Sequence, residues 1–245
     1  MICRFCGLQT KLIKAHVIPE AFFRRLRVGA QPPLLVQQRG RVKRSPIGVY
    51  DPNILCVKCD AIFAPWDNYA YTLLAPTLTD AEEITDGVKI GAWNVPIYKY
   101  EFLKLFFISL LWRASVSQHP FYRRINLGIL ELRAKRLIAT NNPGPSEEFG
   151  IILARFTDDS GKAILDPHPD RLGGVRYSRF YLGRYVAYIK SDTRSPSNEW
   201  RIVTMKPGQP LCIVARDMKR SKELEVMREI VTSSKGRTSI SLLGT

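Results

Sequence analysis

Long apolar runs are missing from this chain. Its most hydrophobic stretch, Phe102 to Trp112, is short and carries Lys104, whereas a helix needs about 20 apolar residues to cross a bilayer. The opening residues, Met-Ile-Cys-Arg-Phe-Cys, hold no apolar signal-peptide core. Nothing here is expected to span a membrane. Acidic residues are scarce too: 22 Asp and Glu stand against 37 Lys and Arg, a formal net charge of +15. That imbalance exceeds what solubility requires and points to a polyanionic partner, either nucleic acid or an acidic membrane surface. Cysteines number only five, four of them in two spaced pairs. Such usage argues against the disulfide framework of a secreted domain and fits a metal site in a reducing compartment, so a cytoplasmic location is expected. The sequence shows no internal repeat and no low-complexity tract.

With 245 residues, 45% of them apolar, the chain can bury a proper core. The pattern predicts an α+β fold in three parts. Residues 1–75 are motif-dense, with prolines, glycines and basic residues between short apolar runs, as in a metal-folded module. Residues 76–145 read as a helical middle. There, apolar residues cover nearly the whole circumference of a helix from Tyr98 to about Ser117, which predicts a buried central helix, with Trp112 and Arg113 read as core packing with a basic rim. A second helix is predicted over Gly128 to Thr140, ending at Asn-Asn-Pro-Gly. Residues 146–245 predict an antiparallel sheet from strands at Gly150–Phe156, Tyr177–Lys190, Glu199–Met205 and Pro210–Ala215, followed by a closing helix from Ser221 to Val231.

Two Cys-x-x-Cys pairs, Cys3 with Cys6 and Cys56 with Cys59, carry the sharpest chemistry. A two-residue spacer lets a tight knuckle aim both thiolates at one ion, and two knuckles complete a tetrahedral zinc shell. A fully ligated zinc is structural, because catalytic zinc keeps a position open for water. Any reaction therefore needs another centre. Cys212, in Pro-Leu-Cys-Ile-Val, reads as a small buried hydrophobe.

The runs Cys-Arg-Phe-Cys, Lys14-Ala15-His16-Val17-Ile18-Pro19 and Asp51-Pro52-Asn53-Ile54-Leu55-Cys56-Val57-Lys58-Cys59-Asp60 resemble the zinc-knuckle type of HNH endonuclease over about the first quarter of the chain. The resemblance implies a ββα-metal, or His-Me, finger of treble-clef type. It implies His16 as the general base that draws a proton from water. Asp51 falls where the family has its middle Asn, and Asp60 falls on the Asn of the Cys-Asn pair, where its oxygen can contact catalytic Mg²⁺ or Mn²⁺. Ala15 stands where the family usually has Asp, Glu or His, and Phe63 where Lys or His often follows. Asp67, seven residues beyond Asp60, is the expected second carboxylate on the same helix face, with Glu20 as a weaker spare. Three of these residues carry alternatives: Asp51 equally opens an Asp-Pro-Asn turn, Asp67 is equally a solvated helix residue, and His16 can be a packed or hydrogen-bonded residue. His119 and His168, each before a proline, read as surface loop residues.

Arg24, Arg25, Arg27, Arg39, Arg41, Lys43 and Arg44 run between His16 and the second knuckle. Their guanidinium groups suit phosphate, which makes double-stranded DNA the expected polyanion. Pro32-Pro33 breaks any amphipathic helix there, arguing against a membrane surface. Arg171, Arg176, Arg179, Arg184 and Lys190, interleaved with aromatics, can extend the basic track or belong to ordinary sheet packing. The expected function is metal-dependent cleavage of DNA in bacterial or phage-related defence, with a protein partner for the C-terminal half. A zinc-finger binding or assembly protein without a nuclease centre is the alternative, and binding to structured RNA stays open on charge.

Overall fold

The computed structural model describes residues 1–27, 31–37, 41–75, 78, 80–158, 163–217, 221 and 224–225. Residues 1–75 build short elements. Strand β1 (Ala15–His16) is followed by helix α1 (Glu20–Arg24), a hairpin of β2 (Leu34–Gln37) and β3 (Arg41–Arg44), strand β4 (Tyr50–Asp51) and helices α2 (Val57–Ala61) and α3 (Ala64–Leu73). Two-residue strands and five-residue helices cannot persist on propensity alone. They are held by long-range pairing, β1 against β4, and by a buried layer that includes Val17, Ile18, Phe22, Phe23, Ile54 and Leu55.

Beyond them come a hairpin of β5 (Glu82–Thr85) and β6 (Ile90–Val95), the long helix α4 (Tyr100–Val116) and α5 (Leu130–Ala139). The remaining elements are β7 (Ile151–Phe156), β8 (Ala163–Leu165), β9 (His168–Leu172), β10 (Val175–Leu182), β11 (Tyr185–Lys190), the short helix α6 (Asn198–Ile202) and β12 (Leu211–Arg216). Helix α4 is buried on every side, as its pattern predicts, and packs against α3, α5 and β11. Three of its polar residues, Lys104, Ser109 and Arg113, are buried with it.

A seven-stranded sheet in the order β5-β6-β12-β7-β11-β10-β9 forms the largest layer. It is antiparallel at every step except β12 against β7, which run parallel. The middle segment is therefore not purely helical: its hairpin supplies one edge of the sheet. Asp86 makes that turn, its Oδ1 accepting from the amides of Val88 and Lys89, while Gly87 takes the positive φ of 87°. Glu199–Met205 forms no strand. Glu199 and Arg201 sit in the first and last turns of α6, matched to its dipole, and this local arrangement overrides the strand propensity of Trp200 and Ile202. The predicted closing helix falls mostly on residues outside those described.

The three expected segments also share one buried cluster. Strand β8 joins β2 in parallel to make a three-stranded sheet, β3-β2-β8, so the N-terminal insertion is paired with the C-terminal half. Tyr177, Phe180, Tyr181, Tyr185 and Tyr188 are all buried, which makes those aromatics sheet packing. His168 is buried in β9, where its Nδ1 donates to the Asp166 carbonyl and burial pulls its pKa down. His119 is half-buried and accepts from the Phe121 amide at Nδ1.

Candidate functional site

The two knuckles converge. The sulfurs of Cys3, Cys6, Cys56 and Cys59 lie within 4.8 Å of one another, and a tetrahedral zinc with bonds of about 2.3 Å needs sulfurs about 3.8 Å apart. Gly7 closes the first knuckle at φ 77°, its amide donating to the Cys3 carbonyl. Cys56 heads α2, and its amide donates to the Cys3 sulfur at 3.4 Å. Burial opposes ionisation of Cys3, but amide donors from Cys6, Cys56 and Phe5 together outweigh it and bring the thiol down to about 7. Burial and the neighbouring sulfurs push Cys59 above the thiol range. Four crowded sulfurs cannot all ionise without a cation between them, so the donor set fits a metal such as zinc.

His16 lies on β1, across from Tyr50. Its Nε2 is 2.9 Å from the Ile47 carbonyl. A carbonyl only accepts, so this nitrogen carries a proton, and whenever the ring is neutral its lone pair is at Nδ1. The Tyr50 ring meets the imidazole edge-on at 6.0 Å, and the Lys14 ammonium stands 5.3 Å over the other ring.

Asp60 and Asp67 both feel His16, and here the two carboxylates part company. Asp60 is half-buried on α2 and accepts no hydrogen bond among the described residues; burial raises its pKa, with Arg113 and His16 pulling it back. Asp67, on α3, faces the guanidinium of Arg113, with oxygen to nitrogen distances of 2.7 and 3.0 Å. Burial is the largest influence on the Asp67 carboxyl and raises it, against the pull of Arg113. A carboxylate gripped at both oxygens by a guanidinium is a poor ligand for a second cation. The expected pair of metal-binding carboxylates is therefore reduced to Asp60.

No protein-family model matches this chain, and no curated protein or solved structure is significantly similar to it. The site must be read from its own geometry.

Register separates Asp51 from His16. Asp51 pairs with Ala15, one step along β4 from the pair His16 and Tyr50, and successive residues of a strand point to opposite faces. Its carboxylate is buried, taking the Asn53 amide on one oxygen and the Ser117 hydroxyl and Gln118 amide on the other. Asp51 thus opens its turn and ties β4 to the end of α4, and the structure does not bring it to the imidazole.

Basic residues of the insertion divide likewise. Arg25 donates to the Tyr71 and Leu74 carbonyls at the end of α3 and stacks 3.7 Å over the Tyr71 ring. This makes it a helix cap. Arg27 donates to the Pro46 carbonyl, Arg44 to that of Pro32, and Arg24 pairs with Glu20. Arg24, Arg27, Lys43 and Arg44 remain exposed. Arg39 lies outside the described residues, and Arg41 is described by its backbone alone. Sequence reading missed Arg113 as a partner of His16, although an arginine on a helix apolar all round, four residues after Ser109, marks a buried polar contact.

Proposed function

We propose that this chain is a metal-dependent endonuclease that hydrolyses phosphodiester bonds of DNA, with His16 as the general base. One observation carries the reading: the Ile47 carbonyl holds the proton at Nε2 of His16, leaving Nδ1 as a base within electrostatic reach of Asp60, whose carboxylate accepts no hydrogen bond among the described residues. Two paired strands, β1 and β4, lead into α2 beside a four-cysteine cluster, an arrangement that supports assigning the unit to the zinc-knuckle HNH, or ββα-metal, type. In the proposed reaction Nδ1 takes a proton from water and the hydroxide oxygen bonds phosphorus. The bond from phosphorus to the leaving sugar oxygen then breaks, and that oxygen regains a proton from solvent. Asp60 is the residue to hold Mg²⁺ or Mn²⁺, which commonly takes one or two carboxylates with water and substrate phosphate and would offset charge on the phosphate oxygens. Arg24, Arg27, Lys43 and Arg44 supply exposed cations for the backbone of double-stranded DNA.

A second reading, a nucleic-acid-binding or assembly module without nuclease activity, draws on Ala15, which has no ligand atom, and on the withdrawal of Asp67 by Arg113. Plasmid cleavage with Mg²⁺ or Mn²⁺ separates them. Wild type is expected to nick and linearise plasmid, and His16→Ala to lose at least about 100-fold of that rate. Equal cleavage by both ends the assignment of His16. Salt-dependent DNA binding without cleavage by wild type favours the binding module.

A further inference from the structure

We propose that Arg113 is a positioning residue that holds His16 in its working place from the centre of the fold. The inference rests on the nuclease reading, since it takes His16 as the reacting group. Arg113 lies on α4 with its side chain only 2% exposed. A guanidinium has five N–H donors, and each has an acceptor here. Nε donates to the Ser109 carbonyl at 3.4 Å, one terminal nitrogen to the His16 carbonyl at 3.1 Å and to Asp67, and the other to Asp67 and the Ser109 hydroxyl. The guanidinium carbon sits 4.9 Å from the centre of the Phe63 ring, which closes one face of the plane.

Three consequences follow from this geometry. First, no N–H is left for a phosphate, so Arg113 acts through other groups and does not touch substrate. Secondly, it joins three elements, because the fork spans β1 through the His16 carbonyl, α3 through Asp67, and its own helix through Ser109. With the imidazole anchored at Ile47 and the backbone of the same residue anchored at Arg113, His16 is held at both ends. Thirdly, the planar fork is required. Lysine keeps the charge but cannot supply two parallel bonds to a carboxylate together with a third to a carbonyl.

Two variants of the full chain test this without depending on one fold outcome. Arg113→Lys keeps the cation and loses the fork. The double variant Asp67→Leu/Arg113→Met removes the pair together, leaving no unpaired buried charge, a replacement that folds tolerate. The readouts are the ¹H–¹³C signal of the His16 imidazole, picked out of three histidines by His16→Ala, and the steady-state kinetics of DNA cleavage. The expected result is a displaced His16 signal in both variants, with kcat lower by about 100-fold and KM changed by less than about two-fold. A purely structural ion pair would leave the signal in place. Either variant, folded by its melting transition and giving the wild-type His16 signal and kcat, overturns the proposal. If the double variant does not fold, Arg113→Lys decides alone. A wild type that cleaves nothing removes the nuclease reading and leaves the histidine signal to decide the positioning role, displaced for it and unmoved against it.

Discussion

The N-terminal segment and the seven-stranded sheet are held together by different means. Strands β1 and β4 have two residues each, and α1 and α2 five. Their order comes from four converging sulfurs and from ties to α4, Arg113 reaching in to the His16 carbonyl and Asp51 of β4 reaching out to Ser117. The sheet has strands of up to eight residues and a continuous apolar interior, with Ile151, Leu153, Phe180, Ala187 and Ile189 all buried. The N-terminal region adds a few polar and metal-binding anchors to its buried apolar layer, whereas the sheet relies on apolar contacts spread along its strands. Such anchors make the region vulnerable at single points.

Removal of the metal is expected to have the largest effect. Structural zinc contributes about 10–16 kcal/mol in small fingers. Chelation, or Cys56→Ser, is expected to abolish amide-exchange protection between Cys3 and Cys59 while β7, β10 and β11 keep theirs. Hydrogen exchange read by mass spectrometry checks this, and equal loss in both regions would erase the contrast. Next in size is Ile189→Ala, a fully buried position on β11, which should cost about 2–5 kcal/mol. Denaturant melts should show the loss with the metal content unchanged, whereas Cys56→Ser lowers both.

The smallest expected effect is a pH dependence from Lys104, on the helix between the two regions. Burial pulls its pKa down to about 8 from 10.5, although its Nζ reaches the Gly144 and Pro145 carbonyls. Below about 8 both folded and unfolded states hold the proton, and the cost of burying the charge is fully present. Between about 8 and 10.5 only the unfolded state holds it, so stability rises with pH across that window. The wild type should gain on the order of 2 kcal/mol relative to Lys104→Met between pH 7 and 10, measured by urea unfolding.

How much of this was readable beforehand follows the range of the interactions. The cysteine pairs, the buried helix and most strands of the sheet are written locally, in two-residue spacers and short apolar periods. His16 was singled out by the motif around it, and its hydrogen bond to Ile47 agrees with the open alternative of a hydrogen-bonded histidine as well as with a base. The position of Asp51 in the motif and the helical spacing of Asp67 make them candidates. Spacing cannot reveal that a one-residue step in β4 turns Asp51 away, or that an arginine on a different helix occupies Asp67. The β5–β6 hairpin did carry a local signal, Asp86-Gly87, but its place beside β12 depends on pairing across most of the chain.

That β2 pairs with β8, Leu34 opposite Ala163, has a consequence for how the protein is made. As the chain leaves the ribosome, the basic hairpin emerges early and its parallel neighbour only after the whole of α4 and α5. Contacts of such long sequence separation form slowly, because a large loop must close before any bond rewards it. Assembly of the three-stranded sheet therefore belongs to a late step, and the nascent hairpin keeps an open edge until β8 arrives.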